Sequence, residues 1–170
     1  MSPKTLITFA TRTQSTAEIA AIIWQTLSVV DATVDILPVN KVTGLDDYRA
    51  IILGSAIKYG KWLPEAVKFV QDNQKKLNSL PVAVYTVHLM NLGNDETSRR
   101  NREAYLKPVK NWISPRKNTF FAGIGNWEKV NFLEGLIGKV INAPEGDFRD
   151  WPAIRSWAEE LRDDQNFGPN

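Results

Sequence analysis

The chain has 170 residues, a formal net charge of +2, no cysteine and one histidine. A chain of this length buries about 70% of the surface that its unfolded form exposes, so it can fold without disulfides or metal. Disulfide frameworks, cysteine nucleophiles, zinc fingers and thiolate-held clusters are excluded, and His88 by itself cannot serve a site that needs two imidazoles. Apolar residues at 43% and charged residues at 24% are the proportions of a globular protein, not of a disordered one.

The elements follow in order. Leu6-Ile7-Thr8-Phe9 is a short apolar strand that runs into a Thr/Ser-rich turn. Ile19, Ile23 and Leu27 recur at fourfold spacing and predict a helix, with Ser15 and Glu18 spaced as a capping box at its start. Thr33 to Leu37 alternates as a strand does, and Ala50-Ile51-Ile52-Leu53 is continuously apolar, as in a strand covered on both faces. Leu63, Ala66, Val67, Val70 and Leu77 predict a helix whose Pro64 is tolerable only in the first turn. Pro81 to Tyr85 is the fourth strand.

A polar stretch from His88 to Asp95 then leads to a basic helix from Thr97 to Ile113, which Pro108 should kink. Thr119 to Ala122 is the fifth strand. An apolar face follows in Leu133, Leu136, Ile137, Val140 and Ile141. The last helix is capped by Asp150 and buries Trp151, Ile154, Trp157, Ala158 and Leu161. Residues 1–162 are expected to form one domain, and the tail from Asp163 to Asn170 is expected to fray.

Strands alternating with helices predict a parallel α/β sheet in three layers. Ligands in such sheets sit beyond the carboxyl ends of the strands. The loops to inspect are therefore Ala10–Thr16, Gly54–Trp62, Thr86–Asp95 and Gly123–Val130. The first holds four hydroxyl side chains, Thr11, Thr13, Ser15 and Thr16, with Arg12 and Gln14 among them, just before a helix. A helix N-terminus with unpaired N–H groups suits a phosphate, and hydroxyls can donate to its oxygens. One hydroxyl is enough for a cap, so the others point to a ligand.

The second loop joins small residues to Tyr59, Gly60 and Trp62, a composition that lets backbone approach a flat ring with an aromatic alongside. Trp62 is equally suited to packing under the next helix. Familiar nucleotide motifs are absent. The first loop has no glycine, Gly123 and Gly125 are followed by Glu128, and Gly54 and Gly60 do not fit a P-loop.

These residues resemble the flavodoxin family, and within it the branch that includes the menaquinone-dependent protoporphyrinogen IX dehydrogenases. The matching pieces are Phe9 to Arg12 running into Thr16 to Ala20, Ala56 to Gly60, Leu77 to Pro81, Tyr85 to Leu89, and Ala122-Gly123. The resemblance implies a flavodoxin-like three-layer sandwich with a five-stranded parallel sheet in the order 2-1-3-4-5. It implies a non-covalent FMN and no metal. Thr11, Arg12, Thr13, Gln14, Ser15 and Thr16 would hold the phosphate. Ala56, Ile57, Lys58, Tyr59 and Gly60, with Val87, His88 and Leu89, would flank the isoalloxazine. The family usually carries glycine where this chain has Gln14, so the turn must be made without it. The segment 142–146 is shorter than its counterpart in the quinone-linked dehydrogenases.

Two functions follow as expectations. One is an FMN oxidoreductase that moves electrons from a porphyrinogen-like or other organic donor to a quinone. The other is a flavodoxin-type carrier between protein partners, although such shuttles are strongly acidic and this chain has an isoelectric point near 8.8. Between Arg99 and Lys117 seven basic residues face one glutamate. Arg99, Arg100, Arg102, Lys107 and Lys110 could attract substrate carboxylates or anionic lipid head groups. The apolar face 133–141 could dock on a membrane or pack internally. No recognition motif supports nucleic-acid binding. His88 is expected to be a satisfied, non-catalytic residue. The chain opens directly on a strand, without a secretory signal, so a cytoplasmic protein is expected, peripheral to the membrane's inner face if it docks there.

Overall fold

A computed structural model describes residues 4–29, 33–126 and 144–168. Five parallel strands form its centre: β1 (Lys4–Ala10), β2 (Val34–Pro38), β3 (Tyr48–Lys58), β5 (Val82–His88) and β6 (Lys117–Ala122), in the order β2-β1-β3-β5-β6. This is the expected order. A sixth strand, β4 (Lys61–Trp62), folds back antiparallel on β3. A small antiparallel pair, β7 (Ile124–Gly125) with β8 (Gly146–Asp147), stands outside the main sheet.

The helices cover both faces. α1 (Ser15–Ser28) and α6 (Trp151–Arg162) bury Ile19, Ile23, Leu27, Ile154, Trp157 and Leu161 against Ile7, Ile52, Ala83 and Tyr85. On the other face α2 (Pro64–Asp72), α3 (Gln74–Leu77), α4 (Glu96–Tyr105) and α5 (Lys107–Lys110) bury Ala66, Val70, Leu77, Tyr105 and Val109 against Leu6, Leu53 and Val84. Strands sandwiched in this way need apolar residues on both sides, which is why Ala50 to Leu53 shows no alternation. Each fully buried Leu or Ile contributes about 1.5–3 kcal/mol.

The predicted helix over 97–113 is two helices. Pro108 has no N–H to donate to the Ala104 carbonyl, so the chain tightens at Leu106, whose N–H bonds to Glu103 O at 3.1 Å, and restarts as α5. The helix after Pro64 likewise breaks at Asn73, whose side-chain amide donates to the Phe69 carbonyl at 2.9 Å in competition with the backbone. Asp150 caps α6 as expected, accepting from Ala153 N–H at 3.0 Å.

Two expectations are corrected. Ser15 and Glu18 do not form a capping box. Ser15 already lies within α1, and the residue at its start is Gln14, in the left-handed region at φ 70 with no side-chain cap. The Glu18 carboxylate instead pairs with Arg149. The described part of the tail, residues 163–168, is held in place: Phe167 is buried, its carbonyl accepts from Thr5 Oγ1 at 3.1 Å, and Arg49 reaches the carbonyls of Phe167 and Gly168. Burial of one aromatic ring holds the segment that composition alone marked as loose. The predicted apolar face from Leu133 to Ile141 lies outside the described residues.

Candidate functional site

Register brings the carboxyl ends of the strands level. Ala10 pairs with Ser55, Ser55 with Thr86 and Thr86 with Phe120, so the loops that follow leave from one edge. The backbone between Ala10 and α1 turns at Gln14, which adopts the conformation that glycine tolerates best. The turn is thus made here by a side-chain-bearing residue.

Ser15 and Thr16 are buried in the first turn of α1. Among the described residues, the buried hydroxyl oxygens of Thr8 within β1, of Thr11 and of Thr16 have no hydrogen-bond partner. A buried hydroxyl without a partner costs about 1–3 kcal/mol, and an anion at the start of α1 would satisfy that of Thr16 together with the unpaired amides of the helix's first turn. Thr13 is half-buried and Gln14 exposed. Arg12 is exposed, and both arms of its guanidinium are engaged by Glu65 in the first turn of α2, one at 3.0 Å. That pairing, its hydrogen bond foremost, holds the Glu65 carboxyl below the usual range. Arg12 therefore ties the first loop to α2, leaving hydroxyls and amides as the neutral donors at α1.

The second predicted loop is largely strand. Ala56, Ile57 and Lys58 lie on β3, which continues because Ser55 and Ala56 pair with β5 while Ile57 and Lys58 pair back onto β4. Only Tyr59 and Gly60 form the turn, both at positive φ (52 and 73), which is the two-residue hairpin geometry that follows the strand twist. The Tyr59 ring is 64% exposed, with the Lys58 ammonium 5.3 Å from its centroid. Trp62, the other candidate for ring contact, is core. It is buried and its indole N–H donates to Thr86 Oγ1 at 2.9 Å. With Leu63 N–H donating to Ser55 Oγ at 3.1 Å, this bond anchors the hairpin and leaves Tyr59 as the turn's only exposed aromatic.

The third loop is also shorter than expected, since β5 runs through Val87 and His88, both buried, and Leu89 is half-buried just beyond. His88 Nδ1 lies 2.7 Å from the Met90 carbonyl, to which it donates, and the ring packs against Tyr105 and Phe120. Burial pushes its pKa down, and the Arg102 charge adds to that. At neutral pH His88 is an uncharged, satisfied side chain.

Gly123, after β6, closes the ring of loops. A Cβ there would stand 2.9 Å from Val87 Cγ1 and 3.4 Å from Ser15 Oγ, so the start of α1, the end of β5 and the end of β6 meet at this point. Its N–H donates to the His88 carbonyl at 2.9 Å. Glycine after the fifth strand was visible in the sequence. Glu65 and Arg149 were not, because their partners lie 53 and 131 residues away. Arg149 is nearly buried, stacks on Trp151 at 4.3 Å, and bridges Asp147 to Glu18 in α1.

A parallel sheet in this order, with a hydroxyl-rich turn into its first helix at the carboxyl edge, defines a doubly wound α/β protein. The chain belongs to the flavodoxin domain family, whose sequence profile matches residues 6–151. It is 25% identical over 170 residues to the protoporphyrinogen IX dehydrogenase [quinone] of Escherichia coli (strain K12), covering 93% of this chain and 94% of that one. Among solved structures it resembles the two-electron reduced flavodoxin of Megasphaera elsdenii, with TM-score 0.56, 17% identity and coverage of 92% and 98% of the two chains. A flavoprotein in complex with FMN from Lactobacillus acidophilus NCFM aligns with TM-score 0.53 and 12% identity, over 69% of this chain and 93% of that one.

Proposed function

We propose that this chain is an FMN-dependent oxidoreductase that takes electrons from an organic donor of the protoporphyrinogen type and passes them to a quinone. The observation that carries the reading is the pair of buried hydroxyls of Thr11, in the loop after β1, and Thr16, in the first turn of α1, which have no partner among the described residues. A phosphate would accept from these hydroxyls and from the first amides of α1. Thr13, Gln14 and Ser15 complete that loop, and Arg12 fixes it to α2 through Glu65.

Bound there, FMN supplies the redox chemistry at its ring. The chain's part is to hold that ring between the Tyr59–Gly60 turn, with Ala56 to Lys58 behind it, and the end of β5 at Val87, His88 and Leu89. Around this edge Tyr59, Met90 and Leu92 are exposed apolar side chains, a surface suited to a flat, weakly polar redox partner. Arg99, Arg100, Lys107 and Lys110 are exposed on α4 and α5 and would draw in the carboxylates of an anionic donor. His88, buried with its Nδ1 proton on a carbonyl, is not placed to relay protons through that atom. No helix among the described residues is long and apolar enough to cross a membrane.

The test is direct. Purified protein should be yellow and release FMN on denaturation, and its anaerobically reduced form should be reoxidised rapidly by menaquinone analogues. A colourless protein that FMN cannot reconstitute would overturn the reading. A flavoprotein inert to quinones yet oxidised by a protein acceptor would instead make the chain a flavodoxin-type carrier.

A further inference from the structure

We propose that Arg102 is a positioning residue that presets the ring-side wall of this site, the loop 89–95, an inference that rests on the FMN reading above. The sequence groups Arg102 with a substrate-attracting basic cluster. In the structure Arg102 is half-buried and its Nη1 donates to two carbonyls of that loop, those of Asn91 and Gly93, the latter at 2.6 Å.

The same loop is held at every other turn. Asn91 sits in the left-handed region at φ 62, its side-chain Nδ2 donates to Tyr105 Oη at 2.7 Å, and its side-chain Oδ1 accepts from Asn101 Nδ2 at 3.0 Å. His88 fixes the Met90 carbonyl at 2.7 Å, and Asp95 caps α4 through Ser98 N–H at 2.9 Å. Residues 90, 91, 93 and 95 are thus clamped by side chains of β5 and α4. Meanwhile the side chains of Met90 and Leu92 stay 41% and 38% exposed. Fixing backbone while leaving apolar side chains in water gains nothing for the core. It does make a loop that needs no ordering when a ring binds against it. A guanidinium shared between two carbonyls is the strongest of these ties because its bonds are charge-assisted.

FMN and riboflavin are to be titrated into wild type, Arg102→Gln, Arg102→Lys and Tyr105→Phe, with visible circular dichroism of the bound ring and amide exchange of residues 89–95 recorded for each. Arg102→Gln should weaken both flavins by the same factor, about 10- to 100-fold, because the loop touches the ring and not the phosphate. It should also alter the ring's dichroism and speed amide exchange within the loop, with Arg102→Lys recovering part of each. Tyr105→Phe keeps the ring in its buried place and removes only the Asn91 contact. It should shift the same readouts in the same direction by less, and it serves if Arg102→Gln does not fold. Unchanged affinity and dichroism in folded variants would overturn the proposal, as would a loss confined to FMN. A wild-type chain that binds neither flavin would overturn the FMN reading itself, a result seen before any variant is made.

Discussion

The Tyr85 ring occupies the space that a side chain on Gly54 would need: a Cβ there would stand 2.0 Å from Tyr85 Cζ. Tyr85 is fully buried, its hydroxyl donates to the Thr16 carbonyl at 3.3 Å, and its ring meets Phe121 and Trp157. The missing side chain on β3 therefore lets a tyrosine on β5 reach under the first turn of α1 and support it. Gly54→Ala should destabilise the protein by more than about 3 kcal/mol, since a ring held on all sides cannot yield. Urea denaturation measures this; a loss below about 1 kcal/mol would show that the ring has room to move.

Thr16→Val should act in opposite directions on the empty and the loaded protein. Its hydroxyl has no partner among the described residues, so replacing it with a methyl should raise the stability of the FMN-free protein by about 1 kcal/mol. The same change removes a phosphate donor and should weaken FMN about tenfold or more while leaving riboflavin nearly unaffected. Equal losses for the two ligands would reduce this hydroxyl to a packing role.

Gln14→Gly should stabilise the chain. At φ 70 a Cβ costs about 1 kcal/mol, and glycine removes that strain at some cost in unfolded-state entropy, for a net gain of up to about 1 kcal/mol. Thermal unfolding of the variant beside Gln14→Val, which should lose stability, checks the backbone assignment.

His88 sets a pH dependence. Burial holds its folded pKa below the unfolded value of about 6.5, so above that value both states are neutral there and the residue adds no slope. As pH falls below about 6.5 the unfolded chain binds the proton first, and stability falls until the folded value is passed. His88→Gln should abolish this part of the acid loss, measured as the difference between wild-type and variant denaturation midpoints at pH 7 and pH 5. Identical slopes for the two proteins would contradict the burial of the imidazole.

Phe167→Ala should cost about 3–5 kcal/mol, as for any buried ring truncated to a methyl, despite lying three residues from the end of the chain. Denaturant melts decide it: a cost under about 1 kcal/mol would return the tail to the frayed state that its composition suggests.

Local patterns carried much of the architecture. The fourfold spacing of Ile19, Ile23 and Leu27, the unbroken apolar run Ala50 to Leu53 and the cap at Asp150 are each patterns written within a few consecutive residues, and all three appear in the structure. The Thr/Ser turn before α1 was legible for the same reason. The lengths of β3 and β5 were not, because Ser55, Ala56 and Thr86 to His88 become strand only when paired with partners far along the chain, and Ile57 and Lys58 only when the Tyr59–Gly60 turn folds β4 back onto them. Trp62 shows the limit at one residue: its type suits either a ring contact or a core position, and the hydrogen bond to Thr86 selects the core.

From the sequence alone came the order of strands and helices, the edge at which to look for a ligand, and the hydroxyl chemistry of the first loop, all written in residues close together. Only tertiary structure decided how the cations are used. Arg12 turned to Glu65, Arg149 to Glu18 and Arg102 to the loop 89–95. A charge chooses its partner by distance and burial, and those are properties of the folded chain that no spacing along it records.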